Sequence, residues 1–331
     1  MRRVKVYRNC FAAAFAVLSM VPVSGVAYAQ PYPGKQPLRL VVPYAPGGSM
    51  DLTARTLAVP LSKILGQQVV VDNRTGGGGN IGTEIVAHSE PDGYTVLMFG
   101  DTNVIAPSLY SKLNYDPVRD FAPVTRLVTA SHVILAHPSL PVSTLDQLIQ
   151  YAQKNPGQLS YGTPGNGTAQ HLGMEVLKMK AGNLSIQHVP YRGGGQAITA
   201  VASGEVPVAY LGFAPSLPFI KAGKLRPLAV TGERREPVLP NVATVEELGF
   251  RGFKTMTWYG AVVPAGTPQD IVETLYRSFI EAVQTPAARE RLATAGLEIA
   301  TSASIPEFGK YISDEIARWA PVVKMAGARV D

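Results

Sequence analysis

The chain has 331 residues, of which 46% are hydrophobic and 16% charged, with a formal net charge of +6 and one cysteine. A single cysteine excludes a small disulfide-stapled fold, and no basic run interleaved with aromatic residues offers a nucleic-acid surface. Beyond the N-terminal region, no stretch has the ~20 apolar residues needed to span a bilayer.

In chain order, the first residues read as an export leader. Arg2, Arg3, Lys5 and Arg8 form a basic n-region, residues 11–23 an apolar core, and Ala27-Tyr28-Ala29 an A-x-A cleavage site before Gln30. The apolar core is short for a membrane anchor, and Cys10 precedes it, which does not suit a lipobox. A cleaved signal peptide over residues 1–29 is therefore expected, and with it a periplasmic location. Cleavage removes four of the 30 basic residues and no acid, leaving 26 against 24, a net +2. The 302 residues left exceed the ~100–200 of a usual single core, so two domains are expected.

Residues 38–42, LRLVV, read as a buried strand. Pro43 ends it, and Pro46-Gly47-Gly48 turns the chain. Ser49 or Asp51 offers an N-cap, and Leu52, Leu57, Leu61 and Leu65 carry a helical apolar stripe. Strand, glycine turn and helix start gather free N–H groups and a positive dipole end in one small space, which suits an anion. A second strand at 68–71, a glycine turn at 73–79, a helix at 80–88 with Ile81, Ile85 and Val86 inward, and a third strand at 95–99 complete βαβαβ, the pattern of a doubly wound parallel sheet. In such sheets ligands sit beyond the carboxyl ends of the strands, here near 44–51 and 100–103.

Two strands, 121–128 and 132–136, carry the chain into a second domain, and a helix follows at 144–155. Strand 159–162 leads into the turn Thr163-Pro164-Gly165-Asn166-Gly167, and Thr168 caps the next helix. Strand 186–190 leads into a third turn, Tyr191 to Gly195, and a helix at 196–203. Strands at 206–211 and 225–230, a proline-punctuated connection at 233–242, an apolar strand near 253–263 and helices at 268–283, 287–295 and 305–320 follow. The tail returns to cover the first domain. The first two glycine turns are expected to face each other across a cleft and grip one carboxylate.

Other chemistries fit less well. Gly76 to Gly79 is not followed by Gly-Lys-Ser/Thr, and Gly165-x-Gly167 lacks the third glycine of a dinucleotide fingerprint. Ser49, His171 and Asp51 or Asp101 could be assembled into a triad, but no Gly-x-Ser-x-Gly elbow surrounds Ser49. The five histidines show no His-x-x-x-His pair, so no metal is expected. His171, in the first turn of its helix, reads equally as ligand rim or as buried hydrogen-bonding histidine.

The stretches LRLVVPYAPGGSMDLTAR, VVVDNRTGGGGNIGTEIVAHSEPDGYT, YDPVRDFAPVT, LSYGTPGNGTAQHLG, VPYRGGGQAI, GKLRPLAVTGERR, LPNVATVEELGF and TWYGAVVPAGTP together resemble the Bug-type periplasmic substrate-binding receptors of tripartite tricarboxylate transporters, from about Pro37 to Val322. The resemblance implies a type II periplasmic binding protein fold, two doubly wound α/β domains around a ligand cleft. It implies a small organic anion as ligand, held near the glycine turns. Residue by residue it places Tyr44, Gly48, Ser49 and Asp51 on the first turn, Thr163, Gly165, Gly167, Thr168 and His171 on the second, and Tyr191 on the third. Pro207 and the apolar run 210–214 stand where relatives often carry an acid or Asn. Asp101, after the third strand, would hold a ligand amine if it points inward and cap the following turn if outward, with the cap slightly preferred. Tyr44 and Phe213 near the cleft make an aromatic or apolar-bodied acid a plausible ligand.

The expectation is thus a monomeric solute-binding receptor, not an enzyme, with no cofactor, no metal and no nucleic-acid partner. Its domains are residues 30–128 with 254–331, and residues 129–253. It captures an organic acid, an aromatic acid or an amino acid, and delivers it to the membrane subunits of a tripartite tricarboxylate-type transporter. The alternatives are a carboxylate sensor without a transport role and a serine hydrolase using Ser49 and His171.

Overall fold

The structure is a computed structural model describing residues 32–34 and 36–330. The leader expected over residues 1–29 lies outside the described residues. The chain runs β1 (Leu38–Val42), α1 (Ser49–Leu65), β2 (Val69–Asn73), a 3-10 turn (Gly77–Gly79), α2 (Asn80–Ala87), β3 (Thr95–Gly100), α3 (Asp101–Leu109) and β4 (Phe121–Ala136). It continues with α4 (Leu145–Lys154), β5 (Leu159–Thr163), α5 (Ala169–Lys180), β6 (Ile186–Pro190), α6 (Gly194–Ser203), β7 (Val208–Gly212), α7 (Phe213–Lys221) and β8 (Arg226–Val230). The last elements are β9 (Met256–Pro264), α8 (Gln269–Gln284), α9 (Pro286–Thr294), β10 (Glu298–Ile299) and α10 (Ile305–Ala326).

The strands hydrogen-bond in the order β2-β1-β3-β9-β4-β7-β5-β6, with β8 and β10 also on β4. The first half is parallel through β2, β1 and β3, as the βαβαβ pattern requires. It is not parallel throughout, because β9 runs antiparallel to both β3 and β4. That follows from the tail's return: β9 enters from the second half of the chain and fills the place beside β3.

β4 corrects the expectation of two strands. It is one strand of 16 residues, roughly 50 Å long at about 3.3 Å per residue. Its start pairs β9, from Phe121 with Pro264 to Ser131 with Met256, and its end pairs β7 and β8. Thr129-Ala130-Ser131, polar enough to read as a break, keeps its ladder on Trp258, Thr257 and Met256. Apolar clusters flank each half. One joins α1, α8 and α9 to Val128 and Tyr259, and another joins α3 and α10 to Phe99 and Trp258. Two more flank the half carrying β5, β7 and β8. Trp258, Trp319, Phe99 and Phe308 are fully buried, each worth about 1.5–3 kcal/mol of transfer from water. Ala169 and Leu172 of α5 join the α3–α10 cluster, so the start of α5 docks on elements of the other half.

Three local readings change. Ile81 and Ile85 face outward, at 50% and 37% exposure, while Val86 is buried. The close face of α2 is set by Gly82, where a Cβ would sit 2.5 Å from the Arg74 carbonyl oxygen, and this turns the isoleucines to solvent. The sequence pattern leaves 101–109 unassigned because Pro107 interrupts it, yet α3 forms, with the Asn103 side chain accepting the Gly100 N–H at 2.8 Å. Finally, α10 does not stop at 320 but passes Pro321 to Ala326.

Candidate functional site

The first turn is built as the local sequence requires, with one change of roles. The N-cap of α1 is Gly48, not Ser49 or Asp51, and no side chain caps it. The first helical hydrogen bond is Leu52 N–H to the Gly48 carbonyl, so the N–H groups of Ser49, Met50 and Asp51 precede the ladder. Ser49 is exposed, and its Oγ lies 2.7 Å from the Tyr259 hydroxyl. Asp51 is buried. Its carboxylate accepts the Gly47 N–H at 2.9 Å, Arg55 Nε at 2.9 Å and Asn73 Nδ2 at 3.0 Å. Burial alone would raise its pKa, but those three donors hold it below the usual carboxylate range. Asp51 therefore shapes the turn. Tyr44 donates to the Gly78 carbonyl at 3.1 Å and shares a hydrogen bond with Thr102. Burial keeps the Tyr44 and Tyr259 hydroxyls neutral.

The second turn is tied more tightly. Thr168 caps α5 as expected, accepting the His171 N–H at 3.2 Å and donating to the Gly165 carbonyl at 2.9 Å. Thr163 is fully buried, and its Oγ1 meets His188 Nε2 at 2.7 Å. The Gly167 N–H is taken by His171 Nδ1 at 3.1 Å. Gly167 has φ +70, and a Cβ there would lie 2.2 Å from Leu109 Cδ2, so only glycine fits between the turn and α3. His171 is buried and stacked on His188 at 3.9 Å; it is the hydrogen-bonding histidine, not an open rim. The helix-start N–H groups left by these bonds are those of Ala169 and Gln170. On the third turn, the Tyr191 hydroxyl donates to Glu205 at 2.7 Å, so it is committed to its own half of the fold.

Asp101 is the first residue of α3 and is buried rather than outward-facing, while keeping a bond at the helix start. Its Oδ1 accepts the Thr102 N–H at 2.8 Å, and the Thr257 hydroxyl lies near enough to the carboxyl to offset part of the effect of burial. Thr257 Oγ1 also lies 2.9 Å from His132 Nε2. A consistent proton order is His132 Nε2–H to Thr257, and Thr257 O–H toward Asp101. Burial pushes the Asp101 carboxyl up to about 7 and His132 down to about 3. His132 Nδ1 has no hydrogen-bond partner among the described residues.

α3 ties these parts together. Its start touches Tyr44 through Thr102, and its end touches Gly167 through Leu109 and the Gly77 carbonyl through Tyr110. Thr102 and Leu109 are about 10 Å apart at ~1.5 Å per residue. Thr102, Thr257, Tyr259, His132 and His188 were not reached from sequence. Thr257 and Tyr259 share one face of a strand by the two-residue period, which was the available signal; which loop they would meet was not encoded locally.

A separate groove of about 1240 Å³ lies over β4 and β10, lined by Arg126, Phe213, Arg234, Lys254, Glu298 and Arg318 among others. It contains none of the glycine-turn residues, and it places Phe213 away from them. Most of its cations are already engaged: Arg318 with Glu315, Arg234 with Glu298, Lys254 with Glu233, Arg235 with Glu247, Arg126 with the Ala300 carbonyl and the Tyr311 ring, and Arg289 with the Gln284 amide. A carboxylate there would compete with ion pairs, whereas at Gly48 it meets open N–H groups.

The two hydroxyls now predict different results. Ser49 does not cap its helix, so Ser49→Ala costs only its hydrogen bond to the Tyr259 hydroxyl, roughly 0.5–1.5 kcal/mol of stability, and weakens acid binding by a similar amount. Thr168→Ala removes a cap and lowers stability by about 0.5–2 kcal/mol. Calorimetry with ligand and thermal unfolding without it check the pair.

The comparisons with known proteins agree in kind. A family model described as tripartite tricarboxylate transporter family receptor matches residues 53–328. Protein BugT of Bordetella pertussis is 35% identical over 304 residues, covering 91% of this chain and 92% of that protein. An R. palustris protein solved with adipate superposes with a TM-score of 0.79 at 34% identity, over 90% of this chain and 99% of that one. MatC of Rhodopseudomonas palustris, solved with bound malate, gives 0.76 at 29% identity, over 88% and 99%.

Proposed function

This chain belongs to the tripartite tricarboxylate transporter receptor family, and on that premise we propose that it captures a small organic acid between its first two glycine turns and delivers it to the membrane subunits of a transporter. The observation that carries the reading is the start of α1: an exposed Gly48 N-cap without a side-chain cap, with the Ser49, Met50 and Asp51 N–H groups ahead of the helical ladder. A carboxylate there needs no arginine, because helix-start N–H groups and the dipole supply the donors. The adipate and malate of the two neighbours are the first ligands to try.

The binding residues in this reading are Gly48 and Ser49 on one side, and the start of α5 behind Gly165 and Thr168 on the other, with Tyr44 between. Residues 30–128 with 254–331 form one lobe and residues 129–253 the other. They turn about β4 and the 231–255 connection as the acid enters. The hydrolase alternative finds no support in the geometry: Ser49 Oγ bonds to Tyr259, and His171 Nδ1 to Gly167.

A thermal-shift screen over organic acids tests the function. A true ligand at 100 times its Kd adds about 2.7 kcal/mol to stability. A screen in which C4 to C6 dicarboxylates, aromatic acids and acidic amino acids all leave the transition unmoved would count against it.

A further inference from the structure

Behind the second turn lies a run of buried and half-buried groups that the binding reading does not use. Lys178 Nζ contacts both Glu175 oxygens, at 2.7 and 3.0 Å, and the Tyr161 hydroxyl donates to Glu175 at 2.5 Å. The Tyr161 ring stacks on His188 at 5.0 Å, and His188 stacks on His171 at 3.9 Å with planes 10° apart. The two imidazoles then reach the turn itself: His188 Nε2 to Thr163 Oγ1, and His171 Nδ1 to the Gly167 N–H.

The hydrogen bonds fix the protons. An N–H can only be accepted by a bare ring nitrogen, so Nδ1 of His171 carries no proton. Thr163 Oγ1 donates to the Gly165 carbonyl at 3.2 Å and accepts the Gly165 N–H at 3.3 Å, so His188 donates to it from Nε2. A proton added to His171 Nδ1 would set two donors against each other. Leu109 packs against the Gly167 backbone on the side where a Cβ would stand.

We propose that His171 and His188 are positioning residues for the second glycine turn, which keeps its anion-binding shape only while His171 Nδ1 is bare, so that acid capture weakens on acidification through the turn. The consequence for capture rests on the function proposed above; the positioning of the turn does not.

Groups on three elements bear on the pair. Burial is the largest influence and lowers the pKa of both rings, His188 down to about 3. On α5, Glu175 favours a proton on His171 and Lys178 disfavours one on both rings. On β5 and β6, Tyr161 and the partner imidazole complete the surroundings. The sign follows: the unfolded histidine takes up a proton near 6.5 while the folded turn resists it. The turn is fully formed above that pH and loses ground as pH falls below it.

The test uses the full chain with two variants. His171→Gln offers an amide oxygen to the Gly167 N–H and does not titrate; His171→Leu offers no acceptor. Hydrogen exchange at the Gly167 amide, corrected for its intrinsic rate, is followed from about pH 7.5 to about pH 5, alongside calorimetry with adipate and with malate. Wild type is expected to lose Gly167 protection several-fold over that range and to lose affinity with it. The Gln variant keeps protection flat and reports only the ligand's own titration, and the Leu variant is unprotected throughout. A Leu variant that protects Gly167 like wild type, or a Gln variant that titrates like wild type, overturns the proposal. Protection that titrates as expected in a protein that binds no acid at all supports the positioning pair and counts instead against the proposed function.

Discussion

Gly48→Val should abolish acid binding while leaving the ligand-free protein folded. Gly48 has φ −75, which any L-residue adopts, and a Cβ there would meet only the Ala45 carbonyl oxygen, at 3.9 Å. The fold therefore tolerates the side chain, at a cost near that of replacing a glycine N-cap, up to about 1 kcal/mol. The valine methyls occupy the space in front of the Ser49 and Met50 N–H groups. Losing two hydrogen bonds to a charged carboxylate, at about 1.5–3 kcal/mol each, means at least about a hundredfold in Kd. Unfolding temperature without ligand and calorimetry with it separate the two effects. Normal affinity in Gly48→Val would place the carboxylate elsewhere.

Asp101→Asn carries the second large effect, and its size depends on the ligand. The carboxyl is buried beside Thr257, with Tyr44 and Tyr259 close enough for its charge to act on their hydroxyls. A ligand amine reaching it would form a charge-assisted bond worth about 1.5–3 kcal/mol, lost in the Asn variant. For an amine-free acid the change should leave affinity nearly unaltered, and a strong loss there would refute the assignment. Stability gives an independent readout. The folded pKa is raised to about 7 from 3.8, so the folded state holds its proton longer than the unfolded one. Wild-type stability should fall as pH rises from about 4 through about 7. Asp101→Asn removes that dependence and should be relatively more stable at about pH 8 than at about pH 5. Denaturant midpoints at the two pH values check this.

What could be read from the sequence was what local rules control. LRLVV, the Pro-Gly-Gly turn and the α1 stripe formed as a unit because the apolar run, the turn chemistry and the helix start all lie within thirty residues of each other. Thr168 was legible as a cap for the same reason. At Asp51 the Gly47 and Arg55 bonds are local, four residues either way, whereas the Asn73 bond forms only once β2 is laid beside β1. Tyr259 reaches Ser49 from 210 positions away, a pairing set by where β9 enters the sheet. His171 stood undecided until β6 put His188 against its ring. In each case the residue type was visible and the partner was supplied by topology.

The most direct test of the central claim is a backbone amide titration by heteronuclear NMR, adding a dicarboxylate identified by the thermal-shift screen and, in parallel, its dimethyl ester. The account predicts that the acid, and not the ester, moves the amides of Ser49, Met50, Ala169 and Gln170 most strongly. Shifts confined to the groove around Arg126, Arg234 and Lys254, with those four amides unmoved at saturation, would contradict it.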